Sequence, residues 1–167
     1  MTQSASLQSQ KPLSAVRQLA PIGDTKKYIM MRIDHQLFGM VVDEIEDVLR
    51  YQEIVPIPMA PKEVLGILNL RGRIVTVIDM RARLGLAPRI DHRQQASIVV
   101  EYKGELYSIL VDSVSEVIDI IDTDIATNPE NLSEQWRDVC RGVYPMEEEL
   151  MVIVDVRKLL CFAGNLL

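Results

Sequence analysis

Aromatic rings are scarce in this chain: two Phe, one Trp and five Tyr make up 5% of 167 residues. That leaves few platforms on which bases or sugars could stack. Positive charge is also short. Eighteen Lys and Arg stand against 24 Asp and Glu, a formal net charge of −6. Such a balance argues against a general nucleic-acid binder, whose affinity rests on neutralising phosphates. No apolar stretch approaches the roughly 20 residues that a membrane-spanning helix needs. The only cysteines, Cys140 and Cys161, are far apart and in no C-x-x-C spacing. They make neither a disulfide framework nor a zinc pattern, and read as two reduced, partly buried thiols in a reducing cytoplasm. His35 and His92 have no acidic or Cys partner at ligand spacing and read as solvated turn residues. G-x-S-x-G, the P-loop and G-x-G-x-x-G are absent. No catalytic residue, metal or cofactor is expected.

What the chain does have is apolar mass, 48% of its residues. That is too much for disorder, and a chain of this length buries roughly 70% of its extended surface on folding. One domain or two small ones are expected. Residues 1–25 differ: Ser, Gln and Ala dominate, without the continuous apolar core of a signal peptide. They read as a flexible N-terminal tail. Leu13, Val16 and Leu19 would line one side of a short helix there, bracketed by Pro12 and Pro21.

From Tyr28 onward the texture is short β-type runs. Ile29–Ile33 and Leu37–Val42 flank the polar turn Asp34-His35-Gln36; Ile98–Tyr102 and Leu106–Val111 flank Lys103-Gly104-Glu105. Both read as hairpins. Laid over each other without a gap they match, Ile29 on Ile98, Phe38 on Tyr107, Asp43 on Asp112, Ile45 on Val114 and Val48 on Val117. A second gap-free match lays Gly66–Leu84 over Gly142–Leu160, with Ile74 on Leu150, Asp79 on Asp155 and Arg81 on Arg157. The chain is an internal repeat. About five short strands per half, without long helices, predict two small five-stranded β-barrels packed pseudo-symmetrically: residues 26–85 and 96–155, then a short C-terminal helix over 156–162. Leu86–Gln95, polar and Pro-containing, reads as the junction. Thr123–Arg141 is loosely patterned, with a short helix expected around Glu134–Val139.

Asp43, Asp79, Asp112 and Asp155 recur where an apolar strand gives way to a polar turn. Catalysis would not need four equivalent positions, so all four are expected to cap turns by accepting a backbone N–H. Met80–Leu84 before Gly85 and Val156–Cys161 near Gly164 read as short helices with a Gly stop. Gly72 reads as a turn glycine. Met30, Met31 and Met40 lie in predicted strands, at least alternate ones in the core. Several runs are apolar at consecutive positions: Met40-Val41-Val42, Ile74-Val75, Val77-Ile78, Ile109-Leu110-Val111 and Met151–Val154. Neighbouring side chains of a strand point to opposite faces, and a small barrel buries only its inner one. The outer apolar residues must meet the other barrel or a partner.

Gly66-Ile67-Leu68-Asn69-Leu70-Arg71-Gly72, followed by Ile74-Val75, Val77-Ile78 and Asp79-Met80-Arg81, resembles the signature of the CheW family, the coupling proteins of bacterial chemotaxis. Phe38-Gly39, Ile45–Tyr51 and Val111–Val117 fit the same pattern in the same order, so the resemblance covers about 26–162 as one domain. It implies two SH3-like barrels on a shared hydrophobic core. It also implies a non-catalytic cytoplasmic adaptor, recruited to receptor arrays, that couples the signalling tips of chemoreceptors to the regulatory domain of a CheA-type histidine kinase. Receptor-facing positions carried across by motif are Ile45 and Asp47, Gly66 and Arg71, and Val114 and Gly142. Ile45 and Val114 would be apolar contacts, the glycines would permit close approach, and Asp47 and Arg71 would set register as opposite charges. Without the resemblance, Arg71 reads as a solvated turn charge, Asp47 as an exposed strand residue and Ile45 as core. Kinase contacts are not assignable. Two departures stand out: Thr76 replaces a common proline, leaving the strand better paired, and Asp47 replaces the usual glutamate. A coupler of a pilus-motility or other non-flagellar system fits the same residues. A small-barrel nucleic-acid module is opposed by charge and by the scarcity of aromatics.

Overall fold

The computed structural model describes residues 23–163. Most of the expected tail, and Gly164, lie outside the described residues; Thr25 already opens a strand. Ten strands follow: β1 (Thr25–Ile33), β2 (Gln36–Val41), β3 (Ile45–Arg50), β4 (Val64–Leu70), β5 (Arg73–Asp79), β6 (Ala96–Tyr102), β7 (Glu105–Val111), β8 (Ser113–Ile121), β9 (Cys140–Pro145) and β10 (Leu150–Val154). Three helices of one turn join them: α1 (Met80–Arg83), α2 (Glu134–Arg137) and α3 (Val156–Leu160). The predicted hairpins form. At Arg71-Gly72 (φ 52° and 85°) and Lys103-Gly104 (φ 53° and 82°) both turn residues have positive φ. That is the turn whose twist matches the flanking strands.

The strands make two five-stranded sheets, ordered β8-β1-β2-β10-β9 and β3-β6-β7-β5-β4. Each half of the repeat gives its first hairpin to the other half's sheet. β1–β2 sits between β8 and β10, and β6–β7 sits between β3 and β5. The two seams closed this way are parallel, β2 with β10 and β5 with β7, and all other pairings are antiparallel. The expected segments 26–85 and 96–155 are therefore not the two sheets. Residues 26–85 supply two strands to one sheet and three to the other. Gap-free similarity tells which segments are alike, and pairing is decided by where each hairpin finds open strand edges.

Alternation along these strands fills three cores. Tyr28, Met30, Leu37, Met151 and Ile153 point into the first sheet's barrel; Leu68, Val75, Val77, Val99, Leu106 and Leu110 fill the second. The residues between them (Ile29, Met31, Phe38, Met40, Ile98, Val100, Ile109, Val152 and Val154 among others) form one larger core where the barrels meet. The consecutive apolar runs are thus mostly spent inside the molecule, and Met30, Met31 and Met40 are all buried. α2 is shorter than expected and lays Trp136 on Phe38, ring centroids 5.4 Å apart.

Among the described residues, Ser108 Oγ is the buried side-chain polar atom left without a hydrogen bond. It lies between Leu106 and Leu110 on β7, and its repeat equivalent is Gly39, where an added Cβ would come within 2.9 Å of Met151 Sδ. Both positions face a tightly filled barrel. An unsatisfied buried hydroxyl costs about 1–3 kcal/mol. Ser108→Ala should therefore raise stability by about 1 kcal/mol, read as a higher urea midpoint at unchanged slope.

Asp79 accepts the Arg81 N–H at 2.9 Å and Asp155 the Lys158 N–H at 3.1 Å, so these two cap α1 and α3 as expected. The other two aspartates do not cap. Asp43 sits inside a 3₁₀ turn, Val42–Glu44, with no side-chain cap bond. Asp112 is engaged by residues remote in sequence, described next. His92 is half-buried rather than solvated, its Nδ1 2.6 Å from Gln95 Oε1, whereas His35 is exposed.

Candidate functional site

Ile45 opens β3, and Val114 lies at the start of β8. Each is half-buried against the rim of the shared core. They pair with the equivalent residues Val100 and Met31, beside a register shift in each sheet. The pseudo-symmetry therefore brings one apolar side chain from each half to the edge of the inter-barrel core.

Asp47 follows on β3. Its Oδ1 accepts the Val48 N–H at 2.8 Å, and its Oδ2 faces the Arg71 guanidinium at 3.6 Å. β3 and the β4–β5 turn belong to opposite ends of one sheet, so this pair shows how far the sheet has curled. Arg71 is 84% exposed. In the free chain the two charges expected to set register meet each other, an exposed contact worth about 1 kcal/mol or less. Asn69 holds the turn, its Oδ1 accepting the Gly72 N–H at 2.7 Å.

Gly66 and Gly142 are buried. The close approach that their missing side chains permit is to the chain itself. A Cβ on Gly66 would strike the Val55 carbonyl; one on Gly142 would lie 2.5 Å from the Ala126 carbonyl oxygen. Each crossing is fastened by two backbone bonds, Val55 with Ile67 (both 2.8 Å) and Ala126 with Val143 (2.8 and 3.0 Å). Overpacking of this kind costs about 1–3 kcal/mol. Gly66→Ala and Gly142→Ala should each lose that much, nearly additively because they sit in different sheets. Denaturant unfolding of the single and double variants checks this.

A polar cluster that the sequence reading missed ties the halves together. Asp112 accepts two bonds from Arg81 Nε (2.9 and 3.1 Å), one from Arg81 Nη2 (2.7 Å), one from the Asp34 backbone N–H (2.7 Å) and one from Gln95 (3.3 Å). Arg89 lies 3.8 Å away, and Arg81 also donates to the Ala87 carbonyl and to Asp34. Burial pushes the Asp112 carboxyl up. The bonds from Arg81 and Asp34 and the charges of Arg81 and Arg89 outweigh it and hold the group below the ordinary carboxylate range. The junction segment Leu86–Gln95 thus closes over one contact between the barrels.

Large apolar side chains remain exposed in matched pairs: Val48 with Val117, and Ile74 with Leu150. Tyr51, Val55, Ile57 and Met59, in the segment between β3 and β4, are exposed as well. Thr76, on central β5, pairs with both Ile67 and Tyr107, which a proline could not do fully. Among the described residues no group of three or more His, Cys, Asp or Glu is placed to hold a metal ion, and no helix is long and apolar enough to cross a membrane. What the surface offers is apolar contact and charge.

A family model for the CheW-like domain matches residues 27–162. The chain is 30% identical over 131 residues to the chemotaxis protein CheW of Rhizobium meliloti (strain 1021), covering 78% of this chain and 84% of that protein. To the chemotaxis protein CheW of Thermotoga maritima it is 29% identical over 133 residues, covering 79% and 85%. Among solved structures, the scaffolding protein TtCheW of Thermoanaerobacter tengcongensis superposes with a TM-score of 0.74 at 27% identity, covering 86% of this chain and 91% of that one.

Proposed function

The chain belongs to the CheW-like family, a family of non-catalytic chemotaxis scaffolds, and on that premise we propose that it holds chemoreceptor tips against a CheA-type histidine kinase in the cytoplasm. The observation that carries the receptor half is the placement of Ile45 and Val114. They are repeat equivalents, both half-buried at the rim of the inter-barrel core, and Asp47, two residues along β3 from Ile45, faces Arg71 of the β4–β5 turn. A helical hairpin laid there meets apolar contact from both halves and can exchange the weak internal ion pair for its own charges. Gly66 and Gly142 serve this surface indirectly, by letting the loops at Val55 and Ala126 pack close. The kinase half is supported by the exposed pairs Val48/Val117 and Ile74/Leu150, which give each barrel a similar apolar end. Weak contacts of this kind gain strength when many are linked in an array.

The test is reconstitution. Purified chain, kinase and receptor fragment from one cell type should co-sediment, and kinase activity should depend on the chain. No such dependence with any cognate receptor would sink the proposal. Arg71→Ala should weaken receptor binding about 5- to 30-fold, the range of an interface residue worth about 1–2 kcal/mol. It should leave stability and kinase binding nearly unchanged, since its own ion pair is exposed. Loss of folding in that variant would mark Arg71 as structural instead.

A further inference from the structure

The backbone sets Ala60 in the place that Trp136 holds in the other half. The gap-free match of Gly66–Leu84 to Gly142–Leu160 continues upstream in the hydrogen bonds. The Asp79 N–H donates to the Glu63 carbonyl as the Asp155 N–H donates to the Val139 carbonyl. The Ala60 N–H donates to the Ile57 carbonyl as the Trp136 N–H donates to the Ser133 carbonyl. All these partners stand at the spacing of that match. The ground beneath is equivalent too. Trp136 rests on Phe38, which lies opposite Val152 across the β2–β10 seam. The repeat lays Tyr107 on Phe38 and Thr76 on Val152, and these two lie opposite each other across the β5–β7 seam. One site is thus filled by an indole. The other has the methyl group of Ala60 and beside it a cavity of about 280 Å³, lined by Ala60, Ile57, Val64, Thr76, Glu105 and Tyr107.

We infer that this cavity receives an aromatic side chain from a partner protein, with a cation next to it in the partner's sequence. The ring that one half supplies for itself comes to the other half from outside. A concave apolar floor that lacks one ring is where a partner's aromatic anchor gains most, because it completes native packing density. The charge follows from Glu105. It stands where the repeat has Gln36, whose amide donates to the Leu37 and Leu150 carbonyls. Glu105 is exposed, and among the described residues no hydrogen bond or ion pair engages its carboxylate. A cation beside the incoming ring meets that carboxylate, and Trp136 itself is followed by Arg137. The edge of the cavity points to a protein rather than a small molecule. Ile57 is exposed there, and Met59, held in the left-handed region at φ 63°, is fully exposed. That is more apolar surface than one ring covers, so a segment of chain carrying the ring has something to lie on. The Met59 side chain adapts easily to such a contact. Neither the receptor nor the kinase of the proposed function is needed for this.

The experiment titrates the full chain, isotope-labelled for NMR, with three capped dipeptides: acetyl-Trp-Arg-amide, acetyl-Trp-Glu-amide and acetyl-Ala-Arg-amide. The first should shift the amides of Ile57, Ala60, Thr76 and Tyr107 saturably in the millimolar range, and the Ala peptide should not. The Trp-Glu peptide should bind about 5-fold more weakly than Trp-Arg, the scale of one exposed charge contact. Glu105→Lys should reverse the order of the two Trp peptides. Ala60→Trp should fill the cavity and abolish the shifts, with a cooperative thermal transition as proof of folding; where that variant does not fold, Glu105→Lys still reads the site. Absence of saturable shifts, equal binding of the Ala and Trp peptides, or affinities indifferent to Glu105→Lys overturns the inference. So do shifts at Phe38 and Asp138 in place of Tyr107, where the peptide would be competing with Trp136 for its own site. So do shifts of these amides on raising the protein concentration alone, which would assign the cavity to a second copy. No receptor or kinase is present, so this outcome is separate from that of the reconstitution.

Discussion

Replacing Asp112 by alanine should lower the stability of the folded chain by about 3 kcal/mol, the loss expected when one partner of a buried ion pair is removed. The Arg81 and Asp112 side chains are 12% and 11% exposed. Without the carboxylate, Arg81 keeps only Asp34 and the Ala87 carbonyl, and the Asp34 N–H and Gln95 amide lose an acceptor. The Lys27–Asp119 pair, whose side chains are 65% and 61% exposed, sets the scale: Asp119→Ala should sit within the small range of surface pairs. Urea unfolding at constant slope reads both. Acid adds a second reading. A carboxyl held low in the fold contributes stability above its unfolded pKa of about 4 and loses it as pH falls through the folded value. The native chain should therefore lose more stability below pH of about 4 than Asp112→Asn does. Equal acid slopes would remove Asp112 from the account.

Cutting the chain inside Leu86–Gln95 should leave neither piece folded. Residues 1–90 would hold β1–β2 without β8 or β10, and β3 and β5 without β6 or β7. The remaining residues would lack the reciprocal partners. Each piece alone should show no cooperative thermal transition by circular dichroism, and the equimolar mixture should regain one whose midpoint rises with concentration. A cooperative transition in either isolated piece would contradict the exchange of hairpins.

Much of this fold was legible from local signals. The hairpins, α1 and α3 with their Asp caps, and the existence of two similar halves all follow from period-2 runs, turn residues and gap-free alignment. Partner choice was not. The parallel seams β2–β10 and β5–β7 leave no local mark, and nothing near Asp112 announces an arginine 31 residues upstream. The two-faced apolar runs correctly demanded a second surface, which is mostly the other barrel. Gly66 and Gly142 were legible as places of close approach, though not that Val55 and Ala126 are what approaches. Ile45, Asp47, Arg71 and Val114 became candidates only through the family resemblance, because a half-buried Ile and a turn Arg look alike in cores and interfaces.

The strands that carry one core on each face have a mechanical meaning. β1, β6, β7 and β10 are walls common to a barrel and to the space between the barrels. Close-packed interiors compress little and pass displacement on. A push on the rim at Ile45 or Val114 therefore has no soft layer to spend itself in. It moves a wall whose other side is the packed interior of a barrel, so the molecule responds to load as a rigid brace.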